Sequence, residues 1–198
     1  MVQSPKYNKN PRFRQSRKED FRVLIVCEGE KDRVFLKKIK DLILENSHQP
    51  TIKLSGGKKL EGICKTIKAN LGFDQIYGFF DTDNSGENIS EINKKIKTKI
   101  LPQNCKLIPV YYSLEYLLAR FLDQKQKQSI CDSKQYKSIE RKFCSICFDG
   151  KSKDEVKLQE LENWLDKNAT KEKVLKIAKN NNTIKEILNI LNLIKLKK

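Results

Sequence analysis

From residue 21 onward, short uninterrupted apolar runs alternate with longer stretches in which apolar residues recur every three or four positions. An uninterrupted run suits a strand buried on both faces, and the longer period suits a helix with one face in a core. Their alternation predicts βα units around a parallel sheet. The first strand is predicted over 22–27, followed by a helix from about Lys31 with Phe35, Ile39, Leu42 and Ile43 on one face. A short second strand over 51–54 leads through Ser55, Gly56 and Gly57 into a helix carrying Ile63 and Ile67. The third strand is predicted over 75–80, and Ile89, Ile92, Ile96 and Ile100 mark a helix that Pro102 ends. A fourth strand over 106–110 precedes a helix over 113–122 with Leu114, Leu117, Leu118 and Phe121 facing inward.

The flanks read differently. Residues 1–20 hold Lys6, Lys9, Arg12, Arg14, Arg17 and Lys18 among Pro5, Tyr7, Pro11 and Phe13, with neither period, which predicts a disordered basic arm. Beyond Gln124 polar residues dominate to about Asp154, apart from a short element over 143–148. Helices are then predicted over 153–166, 171–179 and 184–196, the last capped by Thr183. The organisation expected is a basic arm (1–20), an α/β domain of about four parallel strands (21–123), and a linker with a helical C-terminal lobe (124–198).

Charge adds a partner class. Forty-one Lys and Arg oppose 25 Asp and Glu among 198 residues, a net charge of +16, which favours a polyanion such as nucleic acid. No stretch reaches the roughly 20 apolar residues of a membrane span, and no apolar block of the signal-peptide kind follows the N-terminus, so a soluble cytoplasmic protein is expected. Cys27, Cys64 and Cys105 lie in apolar runs and read as buried hydrophobes. Cys131, Cys144 and Cys147 include one Cys-x-x-Cys pair, but with His48 the lone histidine a zinc site lacks an evident fourth ligand.

The acidic residues fall in a pattern. Glu28 follows the first predicted strand, Asp81 and Asp83 follow the third, and Glu115 lies just beyond the fourth. Loops leaving the C-terminal edge of a parallel sheet project on one side, so these carboxylates are expected on one rim. Gathering them there is costly unless a cation sits between them. Magnesium, which keeps most of its octahedral positions for water and phosphate oxygens, suits a Glu and an Asp-x-Asp pair, with manganese as an alternative. Gly29 and Gly86 beside these acids permit tight turns. Asp32 either joins the acids or stabilises the start of its own helix, and Glu115 is also favoured simply by the dipole of its helix. Lys31, Lys58 and Lys59 are candidate phosphate clamps, the last two behind Gly56-Gly57 where a helix opens. Tyr111 and Tyr112 are candidates to stack on bases, or to pack on the fourth strand.

Val26-Cys27-Glu28-Gly29-Glu30-Lys31-Asp32 and Phe80-Asp81-Thr82-Asp83-Asn84-Ser85-Gly86-Glu87, each after an apolar strand and with one strand-helix unit between them, resemble the two signature motifs of the Toprim domain. That superfamily includes topoisomerases, primases, OLD-type nucleases and small ribosomal-RNA maturases. The basic arm and the Ser113-Leu114-Glu115-Tyr116-Leu117-Leu118 segment look most like the RloB-like proteins of bacterial phage-defence loci, although Tyr111, Tyr112 and Ser113 stand where those read Asn-Pro-Cys. The resemblance implies a Toprim fold over 21–123 and a metal-dependent nuclease. Glu28, Asp81 and Asp83 would hold magnesium, and Glu28, Asp81, Asp83 and Glu115 would act on a phosphodiester of DNA or RNA. It also implies a partner ATPase or a homodimer. A non-catalytic nucleic-acid-binding subunit and a ribosomal-RNA maturation endoribonuclease are the alternatives.

Overall fold

The run Val-Leu-Ile-Val-Cys contains no polar residue, and all five side chains of the strand it forms, β1 (Val23–Cys27), are buried. The reason is its place in the sheet. In the computed structural model, which describes residues 21–44, 49–56, 59–82, 94, 97–99, 101–131 and 136–196, β1 pairs in parallel with β2 (Thr51–Leu54) on one side and β3 (Gln75–Asp81) on the other. The fourth strand, β4 (Cys105–Val110), pairs in parallel with β3 and completes the order β2-β1-β3-β4. Pro109 has no amide hydrogen to give a neighbour, in keeping with its place on an outer strand.

Alternate side chains of β1 feed two cores. Leu24 and Val26, with Ile76, Phe80 and Leu107, meet Ile63, Cys64 and Ile67 of α2 (Lys59–Lys68). Val23, Ile25 and Cys27 belong to the larger core, with α1 (Glu30–Leu44), the helix α3 (Leu114–Leu118) and the C-terminal helices. At Gly78, the central residue of β3, a Cβ would stand 2.6 Å from Ile63 Cγ2 and 2.8 Å from a Leu107 methyl, so only glycine lets α2 sit this close.

The stretch expected to be mostly irregular holds two helices, α4 (Gln124–Cys131) and α5 (Tyr136–Cys147). The helix expected over 153–166 is two elements, because two caps operate in succession. The Glu155 carboxylate accepts from the Ser152 amide and hydroxyl around the 3-10 turn Lys153–Glu155, and Glu160 then accepts from the Lys157 amide to open α6 (Leu158–Asn168). After α7 (Lys171–Ala178) comes α8 (Asn182–Leu196), whose cap is Asn181 rather than Thr183. The Asn181 Oδ1 accepts from the Ile184 amide at 2.9 Å, while the Thr183 hydroxyl donates to the Pro109 carbonyl and ties α8 to the outer strand.

Trp164 and Leu165 of α6, Val174 of α7 and Ile184, Ile187 and Leu191 of α8 lie in the same core as Ile25 of β1 and Ile39 of α1. No helix among the described residues is long and apolar enough to cross a membrane. The basic arm over 1–20 and the apolar positions of the helix expected through Ile89 to Ile100 lie outside the described residues.

Candidate acidic site at the strand ends

The chain leaves β1 at Glu28 and turns at Gly29 into α1. The Gly29 carbonyl accepts from the Arg33 amide, and its own amide donates to Asp32 Oδ2 at 2.9 Å, so Asp32 closes the first turn of its helix. Beside this corner the chain leaves β2, with the Ser55 amide donating to the Cys27 carbonyl at 2.8 Å. Across β1 the chain leaves β3 at Asp81, whose amide donates to Glu28 Oε1 at 3.0 Å. The acids that end the first and third strands therefore touch, as the parallel rim requires.

The third contribution comes after β4. Tyr112 takes a left-handed backbone conformation, φ 65°, which an aromatic residue adopts at a cost of about 1–2 kcal/mol. Its amide is held by the Thr82 hydroxyl at 3.1 Å, and its ring packs on that of Tyr116 with centroids 4.6 Å apart. Ser113 is fully buried and caps α3, its hydroxyl accepting from the Tyr116 amide. This turn brings the Leu114 amide to Asp81 Oδ2 at 3.4 Å and sends Glu115 inward, where only 3% of it is exposed. Tyr112 thus packs locally rather than presenting an open face.

The electrostatics report the crowding. Burial first, then the neighbouring carboxylates of Asp32, Glu115 and Glu28, hold the Asp81 carboxyl well above the usual range, with Lys153 pulling the other way. Asp32 is pushed up to about 6, chiefly by burial and then by Glu115, against the lowering effect of the Gly29 amide. Cys27, directly beneath Glu28, is a buried thiol whose pKa is raised by desolvation, and it serves as packing.

The cation nearest these acids was not foreseen. Lys153, in the 3-10 turn before α6, places Nζ 3.2 Å from Glu115 Oε1 and 3.8 Å from Glu140 Oε1. Lys31, a candidate phosphate clamp, donates its Nζ to the Lys153 backbone carbonyl and so ties α1 to that turn. Lys59 is exposed at the start of α2, on the rim side of the sheet, with a left-handed φ of 50°. Lys58 and Asp83 lie outside the described residues. No local pattern announces Lys153, which is one of 41 Lys and Arg and reaches the acids only through tertiary packing.

The fit of this cleft to a divalent cation turns on unsatisfied oxygens. Asp81 Oδ1 and Glu115 Oε2 are buried and have no hydrogen-bond partner among the described residues. Both are hard oxygen donors, and magnesium usually takes one or two protein carboxylates, so the donor chemistry fits. Among the described residues no group of three or more His, Cys, Asp or Glu is arranged to hold a metal ion. Cys144 is buried in the core and Cys147 packs against it, and burial pushes their thiols up to about 11 and about 12. Comparison with family models, with curated proteins and with solved structures finds no match to this chain.

Proposed function

We propose that the protein is a magnesium-dependent nuclease of Toprim type, hydrolysing phosphodiester bonds of nucleic acid, with the resemblance to RloB-like proteins pointing to phage defence. One observation carries the reading: the hydrogen bond from the Asp81 amide to Glu28 Oε1 joins the two motifs on which the resemblance rests. The two orphaned oxygens beside it, Asp81 Oδ1 and Glu115 Oε2, support it independently.

Asp81 and Glu115 would hold the ion, together with Asp83 and Glu28 as the motif implies. When bound, the ion polarises a phosphate oxygen and offsets the charge that develops there. Glu28, its Oε1 anchored on the Asp81 amide, accepts the proton of the attacking water at its carboxylate. Asp32 holds the Gly29 turn that sets the direction in which Glu28 leaves the strand. The Lys153 ammonium keeps the Glu115 carboxylate in place.

The test is a pool of DNA, transfer RNA and ribosomal RNA incubated with and without magnesium. Wild type is expected to cleave one class of substrate only with metal. Glu28→Gln is expected to lose at least about 10²-fold in rate, the usual scale for a removed general base. Full activity in Glu28→Gln would end the proposal.

One observation favours a second reading, a nucleic-acid-binding subunit without turnover: Glu115 already has a cationic partner in Lys153. That reading predicts binding whose logarithm falls linearly with the logarithm of salt concentration and no cleavage under any metal condition.

A further inference from the structure

The acids of the rim have a basic counterpart in the helical half of the molecule. A pocket of about 370 Å³ opens between the 3-10 turn Ala119–Phe121, the start of α4 and the junction of α7 with α8, a size within the usual range of small-ligand sites. Arg120, Lys127, Lys173 and Lys176 line it, against one carboxylate, Asp123.

None of these four cations is ion-paired to a carboxylate among the described residues. Lys173 Nζ is held by the Phe121 carbonyl at 3.2 Å, which fixes the amine without offsetting its charge. The Arg120 guanidinium lies 4.6 Å from the centre of the Tyr116 ring and donates Nη2 to the Tyr116 hydroxyl at 2.5 Å, while its buried Nε has no partner among the described residues. Asn180 and Asn181, also in the lining, put the amino end of the fifteen-residue α8 at the pocket, where the helix dipole adds to the positive potential. Four cations gathered beside a single carboxylate repel one another, and an anion lowers that cost.

We propose that this pocket binds a phosphomonoester. The group carries about −1.5 to −2 charge at neutral pH and three acceptor oxygens, which suits a surplus of cations and a guanidinium held over a ring. A bare phosphate leaves much of the volume empty, and the apolar surface of Leu122 and Ile177 takes the organic part of the ester. A nucleoside monophosphate and the 5′-phosphate end of a strand share this chemistry. The site stands on the 3-10 turn, α4, α7 and the start of α8, and does not depend on whether the acidic rim cleaves anything.

The test is calorimetric titration of the full chain at low ionic strength with inorganic phosphate, adenosine monophosphate, adenosine and a 5′-phosphorylated trinucleotide. Adenosine monophosphate or the trinucleotide is expected to bind with Kd of about 0.1–1 mM, the tighter of the two identifying the source, and adenosine not at all. Lys173→Ala with Lys176→Ala, at exposed positions whose loss leaves the core intact, is expected to weaken binding at least about fivefold. Lys65→Ala with Lys68→Ala on α2, and Glu28→Gln, are expected to leave it unchanged. The proposal is overturned if neither phosphorylated ligand binds, if adenosine binds as tightly, if the Lys173 and Lys176 pair can be removed without effect, or if either control variant weakens binding as much.

Discussion

Glu115 is almost wholly buried, and the described cation that meets its charge is Lys153, 30% exposed and 3.2 Å away. Taking away one partner of such a pair leaves a desolvated charge, which costs more than the pair contributes while intact. Lys153→Ala is therefore expected to destabilise the fold by about 1–3 kcal/mol in urea denaturation. Adding Glu115→Gln should recover most of that loss, and additive effects of the two changes would show the contact to be without energetic weight. Glu28, Asp81 and Glu115 were legible from sequence because each stands just beyond the end of a strand, and in a parallel sheet that position dictates the rim. For Asp32 the sequence left two roles open, and the structure shows both: its Oδ2 accepts from the Gly29 amide at the start of its helix, and its charge raises the pKa of Asp81. Lys153 was not legible, since it reaches Glu115 from a separate turn across 37 residues of intervening chain, a relation that no period or spacing encodes.

Among the elements, β1 and β3 announce themselves because burial on both faces forces unbroken apolar runs, and α1 because Phe35, Ile39 and Ile43 recur along one face. The helices α4 and α5 escape notice for the opposite reason. In Gln124–Cys131 the buried residue among the described side chains is Ile130, so no period can show. In α5 Ile139, Phe143 and Cys144 do recur at helical spacing, but the surrounding Lys, Arg, Glu and Ser left an element expected only over 143–148. α5 packs on α3 and α4, and its Phe143 meets Trp164 edge to face at 5.4 Å, contacts that tertiary structure supplies. The close approach of α2 to β3 gives a sharper test at this scale. Gly78→Ala drives a methyl group into Ile63 and Leu107 and is expected to cost about 1–3 kcal/mol, the usual scale of overpacking. Ile63→Val leaves its Cγ2 branch in place and should not relieve the clash, whereas Ile63→Ala in the Gly78→Ala background should relieve part of it. Thermal unfolding of the three variants checks both statements.

At the scale of the molecule, one large core joins the sheet to the C-terminal helices, and the 3-10 turn that opens that half brings Lys153 to the rim. The same arrangement separates two fields: carboxylates crowded at the ends of β1, β3 and the start of α3, and cations gathered around the pocket between the 3-10 turn, α4, α7 and α8. On the proposed reading, a polyanion drawn by a net charge of +16 would meet both a cleft that takes a cation and a positive surface. The account turns on the acids at the strand ends sharing a divalent ion, and thermal unfolding in magnesium tests this without any substrate. At ten times its Kd, the ion should stabilise the wild type by about 1.4 kcal/mol, which raises Tm by about 3–6 °C for a chain of this size. Asp81→Asn, which keeps the shape and removes the charge, should shift by less than about 1 °C under the same conditions. An equal shift in both proteins, or no shift in the wild type at millimolar magnesium, would contradict the account.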